Sequence, residues 1–468
     1  MEIITIKQLN QNIRQYERNE SPEGFDMNNE VSLIGWVRSC RDNGKIIFIS
    51  FTDGSRLNSI QLVSKDGVTQ NHETLKGLRV GSSLIAIGKP VLTTDSSQQK
   101  FEIILSRVKL LKQADENFPI QKKEHSKEFL RDVAHIRTKT NTFYTSMKIR
   151  SELSFAIHNF FHLNNFVWLS APIITSNDAE GAGESFIVTD DSDDNSFFGG
   201  VKASLTVSGQ LHAEAYAQTF KRIYTFGPTF RAEKSHTSRH LSEFWMVEPE
   251  IAFCDLNQLM FLMESLIKFL IKIIQKKCYE EISFIEKNID STVVSRLENI
   301  VSVDFAKIEY KTAIEILNRA IAEGKTNFED NEIYFGKDLK SEHEKFLCES
   351  LGNGPVFVYN FPSKIKSFYM KQNADGNTVG ACDLLLPNIG EIAGGSQRED
   401  DYDKLMNRCR ELNMSTEEIQ WYIDLRKFGY YKSSGFGLGF ERLIQYITGL
   451  DNIKDVIPFP RSNGVLKF

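Results

Sequence analysis

No two of the six cysteines in this 468-residue chain stand in a C-x-x-C pair; they are scattered at positions 40, 254, 278, 348, 382 and 409. That scatter offers neither a zinc-site spacing nor a disulfide framework, so reduced thiols of a cytosolic protein are expected. The stretch "MEIITIKQLNQNIRQYERNE" has no apolar segment followed by a small-residue cleavage site, and no secretory leader is expected. Long apolar runs are missing as well. The most apolar stretch, "LMFLMESLIKFLIKII" at 259–274, is interrupted by Glu264, Lys268 and Lys272. Charges recurring at every fourth residue make a polar stripe on an amphipathic helix, so no membrane partner is expected. There is no basic excess either. The 56 Lys and Arg residues against 62 Asp and Glu, a net charge of −6, argue against a DNA-coating protein, while leaving room for a local basic groove. Internal repeats and low-complexity tracts are absent too.

What remains is ordinary globular composition, and the length allows two or three domains. From Val31 to about Lys112, short apolar runs alternate with turn residues: "VSLIGWVRSC", "KIIFISFTDG", "NSIQLVS", "SSLIAIGKPV" and "FEIILSRVKLL". About five such strands suggest a small closed β-barrel. In "KIIFISF" the period of two turns Ile47 and Ile49 one way and Phe48 and Ser50 the other. Phe48 is then either a base-stacking platform or merely half buried. Residues 113–140 are polar and charged and read as a hinge, a helical pattern covers 146–163, and the Gly, Asp and Ser of 176–200 suggest a mobile loop. Asp255 and Gln258 form a D-x-x-Q helix start. Strands are not followed regularly by helices, so mixed α+β with a large antiparallel sheet fits better than a doubly wound parallel sheet.

The stretch "FGPTFRAEKSHTSRHLSEFWMVEPE" at 226–250 has too many charges for a buried strand and too many aromatics for a surface loop. As a long antiparallel hairpin with "KSHTSR" at its turn, it places Arg231 and Glu233 on one face with Thr229 and Gly227, and Phe244 with Glu248. Arginine, aromatic ring and carboxylate on one surface suit phosphate, base and exocyclic amine; a salt-bridged sheet surface is the alternative. "GFGLGFERL" lacks the G-x-G-x-x-G spacing of a dinucleotide loop. Its glycines would let backbone approach a ligand, with Arg442 in the first turn of the helix that follows. In "CDLLLPNIGEIAGGSQRED", Asp383 and Glu391 could hold magnesium on ATP phosphates beside Arg398.

In this order, and behind a barrel, these elements resemble the class II aminoacyl-tRNA synthetases of the aspartyl, asparaginyl and lysyl subgroup. "FRAE" with "RHLSEFWMVEPE" is similar to their motif 2, "GFGLGFERL" to motif 3, and the helix running into "FVWLSAPIIT" with Pro172 to the motif 1 that builds a homodimer. Within the subgroup, "LTVSGQLHAEAYA", "GEIAGGSQRE" and "DNIKDVIPFPR" resemble the bacterial asparaginyl enzymes. The resemblance implies an OB-fold anticodon domain at 1–112, a hinge at 113–140 and a class II catalytic domain at 141–468, on a mainly antiparallel sheet flanked by helices. It further implies ATP and L-asparagine as substrates, Mg2+ as cofactor, tRNA(Asn) as partner and a cytoplasmic homodimer. Arg231 would bind the α-phosphate, Glu233 and Phe244 the adenine, and His240 with Arg442 the γ-phosphate; Arg231, Glu233 and Arg442 would carry the catalysis. Glu391 and Asp383 would hold the metal, Glu180 and Gln210 the α-amino group, Arg398 the side-chain carbonyl and Glu248 its NH2. Phe48 and Gln61 would read the anticodon.

Aspartyl relatives have a lysine in place of Ala213 and an aspartate in place of Glu248, so this chain has lost a cation where a carboxylate substrate needs one. Departures around "TDDSDDNSFFGG" and at "YYKSS" (430–434), where the family has a "VPH"-like sequence, concern loops that bear on the tRNA end. Other readings are a non-discriminating aspartyl enzyme, a paralogue that amidates a free amino acid, and a binding protein without catalysis. Ala213 and Glu248 oppose the first, the barrel is unexplained by the second, and the intact Arg231, Glu233, Glu391 and Arg442 oppose the third.

Overall fold

The computed structural model describes residues 3–20, 22–93, 99–177, 184–190, 196–235 and 237–468. The chain divides into two compact units, Met1–Thr145 and Ser146–Phe468. In the first, β1 (Val31–Asp42), β2 (Ile46–Thr52), β3 (Ile60–Lys65), β4 (Ser83–Leu92) and β5 (Phe101–Lys112) close a barrel in the order β1-β2-β3-β5-β4. The expected alternation holds: Ile47, Ile49 and Phe51 are fully buried inside, while Phe48 and Ser50 lie half-buried on the outer wall. A helix at Ile6–Glu17, opened by a reciprocal Thr5/Gln8 capping box, adds Ile6, Leu9 and Ile13 to the barrel core. Residues 113–140 carry the short helix Lys127–Asp132, whose Leu130 packs with Ile120 and Phe143.

The second unit opens with the two-residue strand β6 (Val167–Trp168) and a small sheet of β7 (Ile174–Thr175), β8 (Ile187–Val188) and β9 (Ala203–Leu205). Seven further strands follow: β10 (Arg222–Phe230), β11 (Glu243–Ala252), β12 (Ala306–Glu309), β13 (Val356–Pro362), β14 (Thr378–Leu386), β15 (Gly390–Gln397) and β16 (Ser433–Gly439). With β6 they form one sheet in the order β12-β13-β14-β15-β16-β11-β10-β6. Its pairs are antiparallel except β12 with β13 and β10 with β6, as the mixed α+β reading expects. The stretch 259–274 lies in the helix Leu256–Lys277, which starts at the expected Asp255/Gln258 box. It buries Leu259, Met263, Leu266 and Leu270, while Lys268 on the polar stripe pairs with Glu264 at 2.7 Å. No helix among the described residues is long and apolar enough to cross a membrane.

Three local expectations are revised. The helix expected at 146–163 begins at Asn141, because its polar first turn has no apolar period to mark it. The 226–250 hairpin exists, but β10 ends at Phe230, so Arg231 and Glu233 sit in a connection running to Ser242 and not on the strand face. Much of the expected 176–200 loop, residues 178–183 and 191–195, lies outside the described residues.

The helix Phe440–Thr448 is tied to its surroundings by Glu441. This buried carboxylate accepts from Arg150 Nη1 at 2.7 Å and from the backbone N–H of Trp245 at 2.9 Å, joining three elements. Removing it would leave the largely buried Arg150 without its counter-charge. Glu441→Ala should therefore destabilise this unit by about 3–5 kcal/mol, read as an earlier urea midpoint; an unchanged midpoint would mean that Arg150 finds another partner.

Candidate active site

All six residues expected at ATP line one cleft: Arg231, Glu233, His240, Phe244, Glu391 and Arg442. They come from the connection after β10, from β11, from β15 and from the helix after β16. Glu233 lies 3.8 Å from both Arg231 Nη1 and His240 Nε2, and the Arg231 guanidinium stands 5.5 Å from the centre of the Phe244 ring. Arg442 Nη1 donates to the Glu391 carbonyl at 3.1 Å and lies 3.4 Å from its carboxylate. A seventh polar group, Arg239, lines the same cleft; it stands in the expected motif but the sequence reading gave it no role. Its Nε is buried without a hydrogen-bond partner. Burial and then the charge of Arg442 lower the Arg239 pKa, an effect that an anion in the cleft would relieve. Three guanidinium groups and a histidine against the carboxylates of Glu233 and Glu391 suit a polyphosphate.

Asp383 and Glu391 do come together, across Gly394. A Cβ built there would lie 3.2 Å from Asp383 Oδ1 and 3.2 Å from Glu391 Oε1, so the glycine keeps open a space that both carboxylates face. Asp383 borders a small neighbouring recess with Glu344 and Lys366, and Lys366 Nζ donates to Asp383 Oδ2 at 2.7 Å. Burial, opposed by Lys366 and reinforced by Glu391, raises Asp383 to about 6. Burial would also raise Glu391, but Arg442, Lys366 and Arg239 hold it below its ordinary value. Two converging carboxylates, one already neutralised by an ammonium, fit a divalent cation. Lys366 and Glu344 were missed by the sequence reading because they lie outside the recognisable motifs.

The residues expected at the amino acid form a second, more buried cluster. Gln210 begins the helix Gln210–Phe220 and is buried; Ala213 is fully buried one turn on. Glu248 accepts from Ser208 Oγ, from the Gly209 N–H at 2.9 Å and from Thr225 Oγ1 at 3.0 Å. Arg398 is gripped by a different carboxylate: its Nε and Nη2 donate to Glu250 at 3.1 and 2.5 Å, and its Nη1 to Ser396 Oγ at 2.8 Å. Burial, reinforced by Glu214 and opposed by Arg398, raises the Glu250 carboxyl to about 8, whereas accepting from the guanidinium on both oxygens is what the ionised form does. Glu250 shares a face with Glu248, two residues on, and that period was the signal that could have found it. Glu180 lies outside the described residues.

Gly437 and Gly439 of β16 line the cleft, as a close backbone approach to a ligand requires, and two of the β16 glycines have a further task. A Cβ on Gly435 would run into the Glu250 carboxylate, and one on Gly437 into the Met246 methyl, so these positions make room for neighbouring side chains. The "YYKSS" departure is also deeper than a loop, since Tyr430 is buried and its hydroxyl donates to Glu214 at 2.8 Å. In the barrel, Phe48 and Gln61 share the outer face of β2 and β3, with Ser50 opposite Gln61 and Val63 opposite Phe48. The Arg41 guanidinium stands 5.0 Å from the Phe48 ring, while Gln61 Nε2 donates to Glu102 at 3.0 Å.

A mainly antiparallel sheet carrying a cationic cleft, together with a five-stranded barrel, is also what comparison with known proteins returns. Residues 126–463 match the family of tRNA synthetases class II (D, K and N), and residues 31–111 match the OB-fold nucleic acid binding domain. The chain belongs to the class II tRNA synthetases and uses ATP as a substrate. It is 57% identical to the asparagine-tRNA ligase of Malacoplasma penetrans and 51% identical to that of Mycoplasmoides gallisepticum, each alignment covering 100% of both chains. The solved structure of asparaginyl-tRNA synthetase from Pyrococcus horikoshii complexed with asparaginyl-adenylate matches with a TM-score of 0.84 at 33% identity, over 93% of this chain and 96% of that one.

Gly435→Ala should force the Glu250 carboxylate away from Arg398 and cost about 1–3 kcal/mol, read as a lower thermal midpoint. An unchanged midpoint would show that β16 relaxes around the added methyl.

Proposed function

We propose that the chain is an asparagine-tRNA ligase. It activates L-asparagine with ATP and transfers it to the 3′ end of tRNA(Asn), releasing pyrophosphate and AMP. The observation that carries the choice of amino acid is the pairing of Arg398 with Glu250, with Ala213 on the helix that carries Gln210: the Arg398 guanidinium is already neutralised, and position 213 offers no lysine to supplement it. A substrate carboxylate would find no spare cation there. An amide needs none. Of the five N–H groups of Arg398, three have the partners described, leaving two for a carbonyl oxygen. Glu248 has three donors on its roughly four lone-pair sites, leaving one for the amide NH2. Gln210 stands beside this cluster for the α-amino group, with Glu180 as its proposed companion.

The reaction follows from that placement. The asparagine carboxylate attacks the α-phosphorus of ATP in line, a new P–O bond forms and pyrophosphate leaves with the electron pair of the broken P–O bond. Arg231 neutralises the charge gathering on the α-phosphate, His240 and Arg442 hold the γ-phosphate, and Phe244 with Glu233 fixes the adenine. Asp383 and Glu391 would hold Mg2+, which would supply further neutralisation of phosphate charge. A hydroxyl of the terminal tRNA ribose then attacks the carbonyl carbon of the adenylate, forming the ester and expelling AMP. Positioning and preset charge do most of this work; no protein nucleophile is required.

The barrel supplies anticodon recognition, Phe48 by stacking and Gln61 by hydrogen bonds, with 1–112 as the anticodon domain, 113–140 as hinge and 141–468 as catalytic domain. Exposed Phe155, Leu163 and Trp168 on and just after the motif 1 helix support a homodimer. A cytoplasmic location accords with the tRNA substrate.

Exchange of labelled pyrophosphate into ATP tests the reading. Exchange should depend on asparagine and not on aspartate, and should be lost in EDTA; exchange with aspartate, or undiminished exchange in EDTA, would overturn the corresponding assignment. Arg231→Ala should lower the asparagine-dependent rate by at least about 100-fold while leaving the circular dichroism spectrum unchanged. Full activity in that variant would remove Arg231 from the α-phosphate.

A further inference from the structure

Glu214 plays no part in the reaction as described. It is nevertheless the most heavily engaged carboxylate in the amino-acid cluster. It is fully buried in the helix Gln210–Phe220, one turn beyond Gln210. Its Oε1 accepts from Tyr422 Oη at 2.8 Å and from Gln210 Nε2 at 3.4 Å, and lies 3.7 Å from Arg398 Nε. Its Oε2 accepts from Arg426 Nη2 at 3.0 Å and from Tyr430 Oη at 2.8 Å. Tyr430 also contacts Ser433 Oγ, so one residue of the departing "YYKSS" segment meets this carboxylate and a second holds it there. Glu214 thus touches both groups proposed to hold the substrate: Gln210 for the α-amino group and Arg398 for the side chain.

Charge decides what such a group does. The guanidinium groups of Arg398 and Arg426 are paired with Glu250 and Glu214, while the neighbouring Glu248 is held by neutral donors alone, leaving one negative charge uncompensated. Each of these side chains is almost wholly buried, so water screens the excess poorly. An asparagine side chain adds no charge to the cluster. An aspartate side chain makes the excess two. Replacing Glu214 by its neutral amide brings the protein's share to zero, and an aspartate carboxylate then restores only the charge that the wild-type cluster already tolerates.

We propose that Glu214 is a specificity-determining residue: its buried charge, held by Arg426, Tyr422 and Tyr430 against Arg398, makes the side-chain site reject aspartate. The inference rests on the asparagine-ligase reading. The alternative is a purely structural brace between the helix Gln210–Phe220 and the segment 420–430, and a brace has no means of telling the two amino acids apart.

The experiment compares kcat/KM for aspartate and asparagine in pyrophosphate exchange, in the wild-type chain and in Glu214→Gln. The aspartate-to-asparagine ratio should rise at least about tenfold, chiefly through a lower KM for aspartate. Rates that fall equally for both amino acids would leave Glu214 a brace and overturn the proposal. Tyr430→Phe and Glu214→Asp disturb the same contacts while keeping the charge, and should change the ratio less than about threefold. A rise in these two as large as in Glu214→Gln would place the preference in packing and overturn it as well. If Glu214→Gln does not fold, Glu214→Ala, which also removes the charge, is judged by the same criterion. A wild-type chain showing no asparagine-dependent exchange overturns the functional reading itself, a result recognisable before any variant is made.

Discussion

Burying Arg398 and Glu250 side by side obliges the centre of the large sheet to be built around them, because removing two ions from water costs several kcal/mol unless geometry and hydrogen bonds offset it. Gly435 on the next strand leaves the room that the Glu250 carboxylate fills, and Ser396 takes a further guanidinium N–H. Glu250, Gly435, Ser396 and Ala381 stand in register across β11, β16, β15 and β14. Slipping any one of these strands by a residue would turn its side chains to the other face and leave a buried charge unpaired. The ion pair therefore fixes the register of the strands that also carry Phe244, Asp383 and Glu391.

The two halves of the site are electrically opposed, and each suits its own ligand. The cleft bounded by Arg231, Arg239 and Arg442 presents three guanidinium groups suited to a polyphosphate, while the cluster around Glu214, Glu248 and Glu250 presents three buried carboxylates. Strand β11 links them. Phe244 near its start and Glu250 near its end lie on one face, six residues apart, so a single extended segment runs from the cationic cleft to the buried carboxylate cluster. The Glu441 contact to Trp245 N–H fixes that segment at its Phe244 end.

Much of this was legible in the sequence. The barrel strands and the Asp255/Gln258 cap follow from alternation and capping chemistry, which act over a few residues. Motif spacing brought Arg231, Glu233, His240, Phe244, Glu391 and Arg442 to one cleft, and Asp383 to Glu391. The partners lying far apart in the chain were not legible. Glu250 belongs to Arg398 across 148 residues, and Glu214 to Arg426 across 212; no local period reports such pairings. The β16 glycines are legible as ligand space, and Gly437 and Gly439 do line the cleft, but the room that Gly435 and Gly437 leave for Glu250 and Met246 of the adjoining strand was not.

The Tyr430 hydroxyl, held between Glu214 and Ser433, makes the segment 430–434 part of the interior. Such a segment does not travel alone. A chimera that replaced it with the corresponding stretch of a relative would exchange one buried donor for whatever the graft brings, and a graft without a donor there would leave Glu214 Oε2 with one hydrogen bond fewer. Exchange of this strand-entry segment between members of the family is therefore coupled to the identity of residues on two distant helices. A residue set just before β16 thus constrains what can stand at position 214, more than two hundred residues back in the chain.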